Sequence, residues 1–272
     1  MGEAKQKRSA TQKLIEQYPF CYFCGGTRAA TTREHMPPRS LFENSYRPDK
    51  LVMPACADCN KGTSTADLAV AIVSRWDYHS YSPDHAKLVA RAGVQAPEMA
   101  HKWTKMDQEG GREKARRHLR NQGVEVPDDA GLASIGPLTV RQLNLFAHKA
   151  VLALYFEHFR KPLYDDGRLC AFWRSKEDFA RDGLPQMILE MLPGYATLMQ
   201  GRWNEQETFE YRHAMNEADG LFGCFARFRR SYFVLGFVAA DGNVLPSDDD
   251  DWIKPSDLRS TAFNDARFLK RR

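Results

Sequence analysis

The sequence predicts an α+β fold: a small turn-rich N-terminal module, then a mainly helical region, then a C-terminal antiparallel β meander. Three observations carry that prediction. Two Cys-x-x-Cys pairs, Cys21/Cys24 and Cys56/Cys59, lie within a stretch from Pro19 to about Thr63 that has no regular hydrophobic period. Between Thr139 and Phe159 apolar residues recur at helical spacing. From about Glu207 the period changes to two, as in half-buried strands.

The N-terminal module comes first. Residues 3–17 are polar and compatible with a helix that ends before Tyr18-Pro19. Two short strands follow, residues 29–35, stopped by Pro37-Pro38, and residues 51–53, stopped by Pro54. A helix is expected over residues 64–76, with Ser64 as N-cap, Asp67 three residues on, and Leu68, Val70, Ala71, Ile72 and Val73 on its buried side. Four thiolates from two Cys-x-x-Cys turns suit a tetrahedral zinc ion, and Gly25-Gly26 permit the tight turn around it. Such an ion would be structural, because four cysteines leave no coordination position for water.

Beyond residue 80 the character changes, and the expected division is a module over residues 1–80 and a second region over 81–272. Pro83 and Pro97 can open helices, the latter running through His101 and Trp103, and a basic helix follows near Glu113 to Asn121. In the long helix, Leu143, Phe146, Ala147, Ala150, Val151, Leu154 and Phe159 supply the apolar face. Short helices are expected at residues 175–181 and 184–192. Phe209, Tyr211, His213 and Met215 then alternate with polar partners. Further strands are expected at 221–229 and 231–239, with Asp219-Gly220 and Asp241-Gly242 as turns. Arg227, Arg229 and Arg230 stand together with Phe225, Phe228 and Tyr232; such a mix could stack on bases, and a sheet with one buried face explains it more simply. The sheet would pack on the long helix, and the second region would serve substrate selection, sensing or partner binding.

The chain has 272 residues, 43% hydrophobic and 27% charged, with a net charge of +4. That is ordinary globular composition. Basic residues cluster at Lys5, Lys7, Arg8 and Lys13, at Lys114 to Arg120 and at Lys270 to Arg272, offset by the acidic run Asp248 to Asp251. Local stripes of this kind matter more for phosphate contact than the total does. No apolar run approaches the ~20 residues that span a bilayer, so no membrane partner is expected. The basic N-terminus has no apolar segment after it, which argues against a secretory signal. Six cysteines in such a chain read as metal binding in a reducing cytoplasm rather than a disulfide framework.

The chemistry centres on Glu34-His35, at the end of the first strand, and on Asn60, directly after the last cysteine. A carboxylate and an amide oxygen are hard ligands suited to Mg²⁺ or Mn²⁺. Such an ion can stabilise the charge that develops at a phosphate. A neutral imidazole can take a proton from the attacking water. Arg33, Arg39 and Lys61 lie on the same module and can contact phosphates.

The order Cys-x-x-Cys, acid-His, Cys-x-x-Cys-Asn resembles the HNH, or ββα-metal, nucleases that carry a zinc knuckle. It is especially similar to phage junction-resolving endonucleases of the endonuclease VII type. The resemblance covers about residues 19–76 and implies a ββα-metal fold there. By it His35 would be the general base, Glu34 and Asn60 would hold the catalytic ion, and the four cysteines would hold zinc. DNA, duplex or branched, would be the substrate, and a homodimer could cut two strands. The chain departs from the family in having Glu34 where Asp is usual, and Asp49-Lys50-Leu51 where a middle asparagine is common. The alternative expectation is a catalytically degenerate zinc-knuckle module that binds nucleic acid or protein.

Overall fold

A computed structural model describes residues 2–43, 47–76, 83–97, 99, 111–121, 123, 125, 135–183, 186–200, 203–245 and 251–260. The helix expected through His101 and Trp103, the tail Lys270 to Arg272 and all of the acidic run but Asp251 lie outside them.

The chain opens with α1 (Gly2–Gln17), which ends before Tyr18-Pro19 as its sequence implied. A hairpin of β1 (Thr32–His35) and β2 (Val52–Ala55) follows, antiparallel, with Glu34 opposite Met53 and His35 opposite Val52. The first strand ends where expected but begins only at Thr32. The second does not stop at Pro54. A two-stranded ribbon is all edge, so a residue without an N–H is tolerated there. Pro54 pairs with Arg33, and its carbonyl accepts a hydrogen bond from Tyr22 N at 2.9 Å, which docks the first cysteine turn on the hairpin.

After the second cysteine turn come two helices rather than one, α2 (Ala57–Gly62) and α3 (Ser64–Val73). The expected capping box does not form. Thr63, not Ser64, is the N-cap of α3 and makes no side-chain capping bond. Its hydroxyl turns instead to Cys59 O at 3.0 Å and to Glu34 at 3.2 Å, and Ser64 donates back to Lys61 O at 2.8 Å. Asp67, expected to cap, is engaged elsewhere. In chain order the ribbon and these helices run β, β, α, as the family resemblance implied.

Helices α4 (Pro83–Gln95) and α5 (Gly111–Asn121) precede the central element, α6 (Pro137–Phe159). Its residues from Leu143 to Phe156 are buried on every face, so α6 is a core helix with protein on all sides. Arg160 closes it in a left-handed conformation, φ 55°, two residues before Pro162.

The C-terminal half is an antiparallel sheet, and with the helices it gives the α+β fold. Its strands are β3 (Arg168–Ser175), β4 (Gly194–Thr197), β7 (Phe209–Asn216), β8 (Leu221–Phe228) and β9 (Tyr232–Ala239), ordered β3-β9-β8-β7-β4. A small ribbon of β5 (Met199–Gln200) and β6 (Trp203–Asn204) lies between β4 and β7 in sequence. The β7-β8-β9 meander stands where it was expected, β7 from its alternation and β8 and β9 from the turns that bound them. The outer strands β3 and β4 are new. Between them lie α7 (Lys176–Asp182), closed by a Ser175–Asp178 capping box, and α8 (Gln186–Met191).

Helix α6 lies against this sheet, as expected. A Cβ on Gly236 would meet Val151 Cγ2 at 2.1 Å, so only glycine lets β9 approach the helix this closely. Trp173 donates to Asn144 Oδ1 at 2.9 Å, and Tyr232 donates to Leu143 O at 2.7 Å. Arg227 pairs with Glu210 at 2.6 Å, while Phe228 and Tyr232 are buried, as a one-sided sheet requires. The other side of α6 faces the N-terminal module. Phe156 meets Tyr18 and Tyr22 edge-on at 5.1 and 6.4 Å. One hydrophobic core therefore runs from the cysteine turns through α3 and α6 into the sheet.

Candidate functional site

The four cysteines come together. Cys21, Cys24, Cys56 and Cys59 are all buried, and their sulfurs lie within 4.8 Å of one another. Among the described residues this is the one cluster of at least three potential metal-ligating Cys, His, Asp or Glu side chains, and it can hold a metal ion such as zinc. Gly25 and Gly26 both take positive φ, 66° and 69°, at the turn that closes the first pair. Hydrogen bonds from Cys21 and Cys59 hold the Cys24 thiol well down. The bonds to Cys21 and Cys24 push Cys59 up. Thiols crowded this closely compete for protons, and a shared cation removes the conflict. Asn60 follows Cys59 on α2, and its amide donates to Thr32 Oγ1 at 3.1 Å and Arg33 O at 3.4 Å. The cysteine cluster is thereby tied to the catalytic candidates on β1.

Along β1 successive side chains point to opposite faces. Glu34 points inward. Its residue is 4% exposed, and its carboxylate accepts from Tyr22 OH at 3.0 Å and Thr63 Oγ1 at 3.2 Å, and pairs closely with Lys149. Lys149 comes from the middle of α6, is fully buried, and also reaches Asp67 Oδ1 at 2.6 Å. Burial acts to strip the proton from Lys149, but Asp67 and Glu34 outweigh it and the ammonium is held above its ordinary range. Burial and the neighbouring Glu34 carry Asp67 up to about 6 despite Lys149. The two acidic side chains thus share one ammonium. Pattern reading missed Lys149; the available signal was a lone cation amid consecutive buried positions of an apolar helix.

Glu34 and Asn60 were expected to hold the catalytic Mg²⁺ or Mn²⁺, and that donor set does not fit such an ion. The Glu34 oxygens are occupied by two hydroxyls and an ammonium, and the residue is 4% exposed, whereas such ions keep several waters. The physical reason lies in tertiary structure: α6 supplies a cation that the N-terminal sequence does not contain.

His35 points the other way, with Arg33. Its Nε2 lies 3.3 Å from Asp49 Oδ1, and Arg33 lies 3.6 Å from the other oxygen of the same carboxylate. An ionised carboxylate only accepts, so Nε2 carries the proton and Nδ1 is left as the acceptor. Partial burial, followed by the positive charges of Arg47, Arg39 and Arg33, pushes His35 down to about 4, against an opposing pull from Asp49. The imidazole is therefore neutral at physiological pH. Arg39 and Lys61 are exposed.

Arg47, not singled out by sequence, fixes the loop into β2. It donates to Met36 O at 2.9 Å, Pro48 O at 2.7 Å and Lys50 O at 2.6 Å. A guanidinium therefore holds this loop in place. Asp49, in the same loop, turns its side chain to His35. The structure thus gathers His35, Arg33, Arg39, Arg47 and Asp49 on one face of the hairpin and sends Glu34 to the other. No protein-family model, curated protein or solved structure matches the chain.

Proposed function

We propose that the chain is an endonuclease of the HNH kind that hydrolyses DNA phosphodiester bonds, with His35 as general base. The observation that carries this reading is a neutral imidazole beside three guanidinium groups, on a hairpin pinned to a four-thiol cluster. Asp49 accepts the Nε2 proton of His35 and leaves Nδ1 to take a proton from water. It also stabilises the imidazolium that forms. Arg33 and Arg39 offer planar donors to phosphate oxygens. The structural ion in the cysteine cluster is zinc by ligand chemistry, since four thiolates in a closed tetrahedral set suit it best. A Mg²⁺ or Mn²⁺ cofactor, if used, takes its ligands from groups other than Glu34.

The test is incubation of the zinc-loaded protein with supercoiled plasmid, with single-stranded DNA and with branched DNA, with and without Mg²⁺ or Mn²⁺. The expected result is nicked or linear product that His35→Ala abolishes. Wild type and His35→Ala equally inert on all three substrates would refute catalysis.

One observation favours a second reading, a zinc-knuckle module that binds nucleic acid without cutting it. The family's acid-His dipeptide is split here, with its acid committed to Lys149. In that case the protein retards DNA in a gel with a salt-dependent affinity, Arg33→Ala weakens it, and no product forms.

A further inference from the structure

The Glu34 carboxylate sits where the acid-His motif calls for a divalent ion, and the folded chain already places a cation there. We propose that the Lys149 ammonium is a resident cation: it fills the charge-binding position formed by Glu34 and Asp67, so that the protein takes up no divalent ion through Glu34. Four oxygen-bearing side chains converge on this position. Glu34 and Asp67 bind the ammonium directly, and Tyr22 and Thr63 donate their hydroxyls to Glu34. Lys149 and Tyr22 are fully buried, Thr63 is 2% exposed and Glu34 is 4% exposed. A lysine is a compact point charge on a flexible stem, able to meet two carboxylates without the fixed geometry of a metal. Here the stem is anchored in a helix buried on every face, so the cation cannot dissociate while the protein is folded. Charge compensation at this point is therefore independent of the divalent ion concentration, and it is supplied by the C-terminal part of the chain to the N-terminal module.

Two measurements test this, and neither reads cleavage, so the inference stands or falls apart from the nucleolytic reading. In the first, Mn²⁺ is titrated into the zinc-loaded wild type and Glu34→Gln, and free Mn²⁺ is followed by electron paramagnetic resonance at a temperature where circular dichroism shows both folded. The expected result is the same uptake by both proteins. Uptake by wild type that Glu34→Gln loses would overturn the proposal. In the second, thermal unfolding is compared for wild type, Lys149→Met and the triple variant Glu34→Gln/Asp67→Asn/Lys149→Met. Removing only the ammonium leaves the buried Glu34 and the partly buried Asp67 without their cation, and a fall of roughly ten degrees or more, or failure to fold, is expected. Neutralising both carboxylates as well should recover most of that loss. A single variant as stable as wild type, or a triple variant no better than the single one, would show that the position is packing and not charge, and would overturn it.

Discussion

The two faces of β1 carry adjacent residues into opposite environments. On the inner face Glu34 is closed in by Tyr22, Thr63 and Lys149. On the outer face His35 keeps a neutral ring among arginines, beside an Asp49 side chain that is 54% exposed. A strand pleat alone enforces this separation, because neighbouring side chains leave it in opposite directions. A dipeptide that reads as one functional unit in sequence is thus two units in the fold. One holds the hairpin to α6, and the other meets Asp49 on the outer face. The two halves of the molecule are related in the same way: the module carries the histidine face, and the long helix brings the charge that anchors the opposite one.

The largest perturbation removes what both faces depend on. Chelating the cation of the cysteine cluster, or replacing Cys59 with serine, should unfold β1, β2 and α2 together. Metal binding at such a site is worth roughly 10–16 kcal/mol in small zinc modules. Circular dichroism with metal quantitation checks it, and a fold indifferent to the chelator would remove the cluster from the account.

Next comes the inner face. Lys149→Met should cost about 3–5 kcal/mol, the usual consequence of leaving a buried charge without its partner. Denaturant unfolding measures it. A loss below about 1 kcal/mol would mean that the inner face is not organised by charge.

The outer face responds to pH with a defined sign. His35 has a folded pKa of about 4 against an ordinary 6.5, so the unfolded chain takes up the proton first as pH falls. The stabilisation is complete above 6.5 and is lost progressively as pH drops toward 4, by roughly 3 kcal/mol in all. His35→Gln should remove that part of the pH dependence. Cleavage should follow the same group, with the acid limb of kcat/KM near 4 rather than 6.5.

The smallest effect is a control placed away from both faces. Ser175→Ala removes the N-cap of α7 at the far edge of the sheet and should cost about 1 kcal/mol. It should leave DNA cleavage or binding as in wild type, which separates loss of stability from loss of the site.

Much of this was legible in the sequence because local pattern and final environment agree. The cysteine spacing assembled the thiol cluster, the helical period marked α6, polar-apolar alternation marked β7, and the turn signals Asp219-Gly220 and Asp241-Gly242 bounded β8 and β9. Strand β3 escaped because Leu169, Ala171 and Trp173 on one face alternate with Cys170 and Phe172 on the other, so no polar-apolar rhythm shows. The capping reading of Ser64 and Asp67 failed for a tertiary reason. A buried lysine offered Asp67 a stronger partner than a helix N-terminus does. Glu34 is the same case. Nothing near it in sequence names Lys149, and only the packing of α3 and β1 against α6 brings the three charges together.

The division between the faces is tested most directly by measuring thermal stability and plasmid nicking side by side for Glu34→Gln and His35→Ala. The account predicts that Glu34→Gln melts several degrees lower yet still nicks DNA at temperatures where it is folded. It predicts that His35→Ala melts close to wild type at neutral pH and does not nick. A folded Glu34→Gln protein that has lost nicking, or a His35→Ala protein that retains it, would contradict the account.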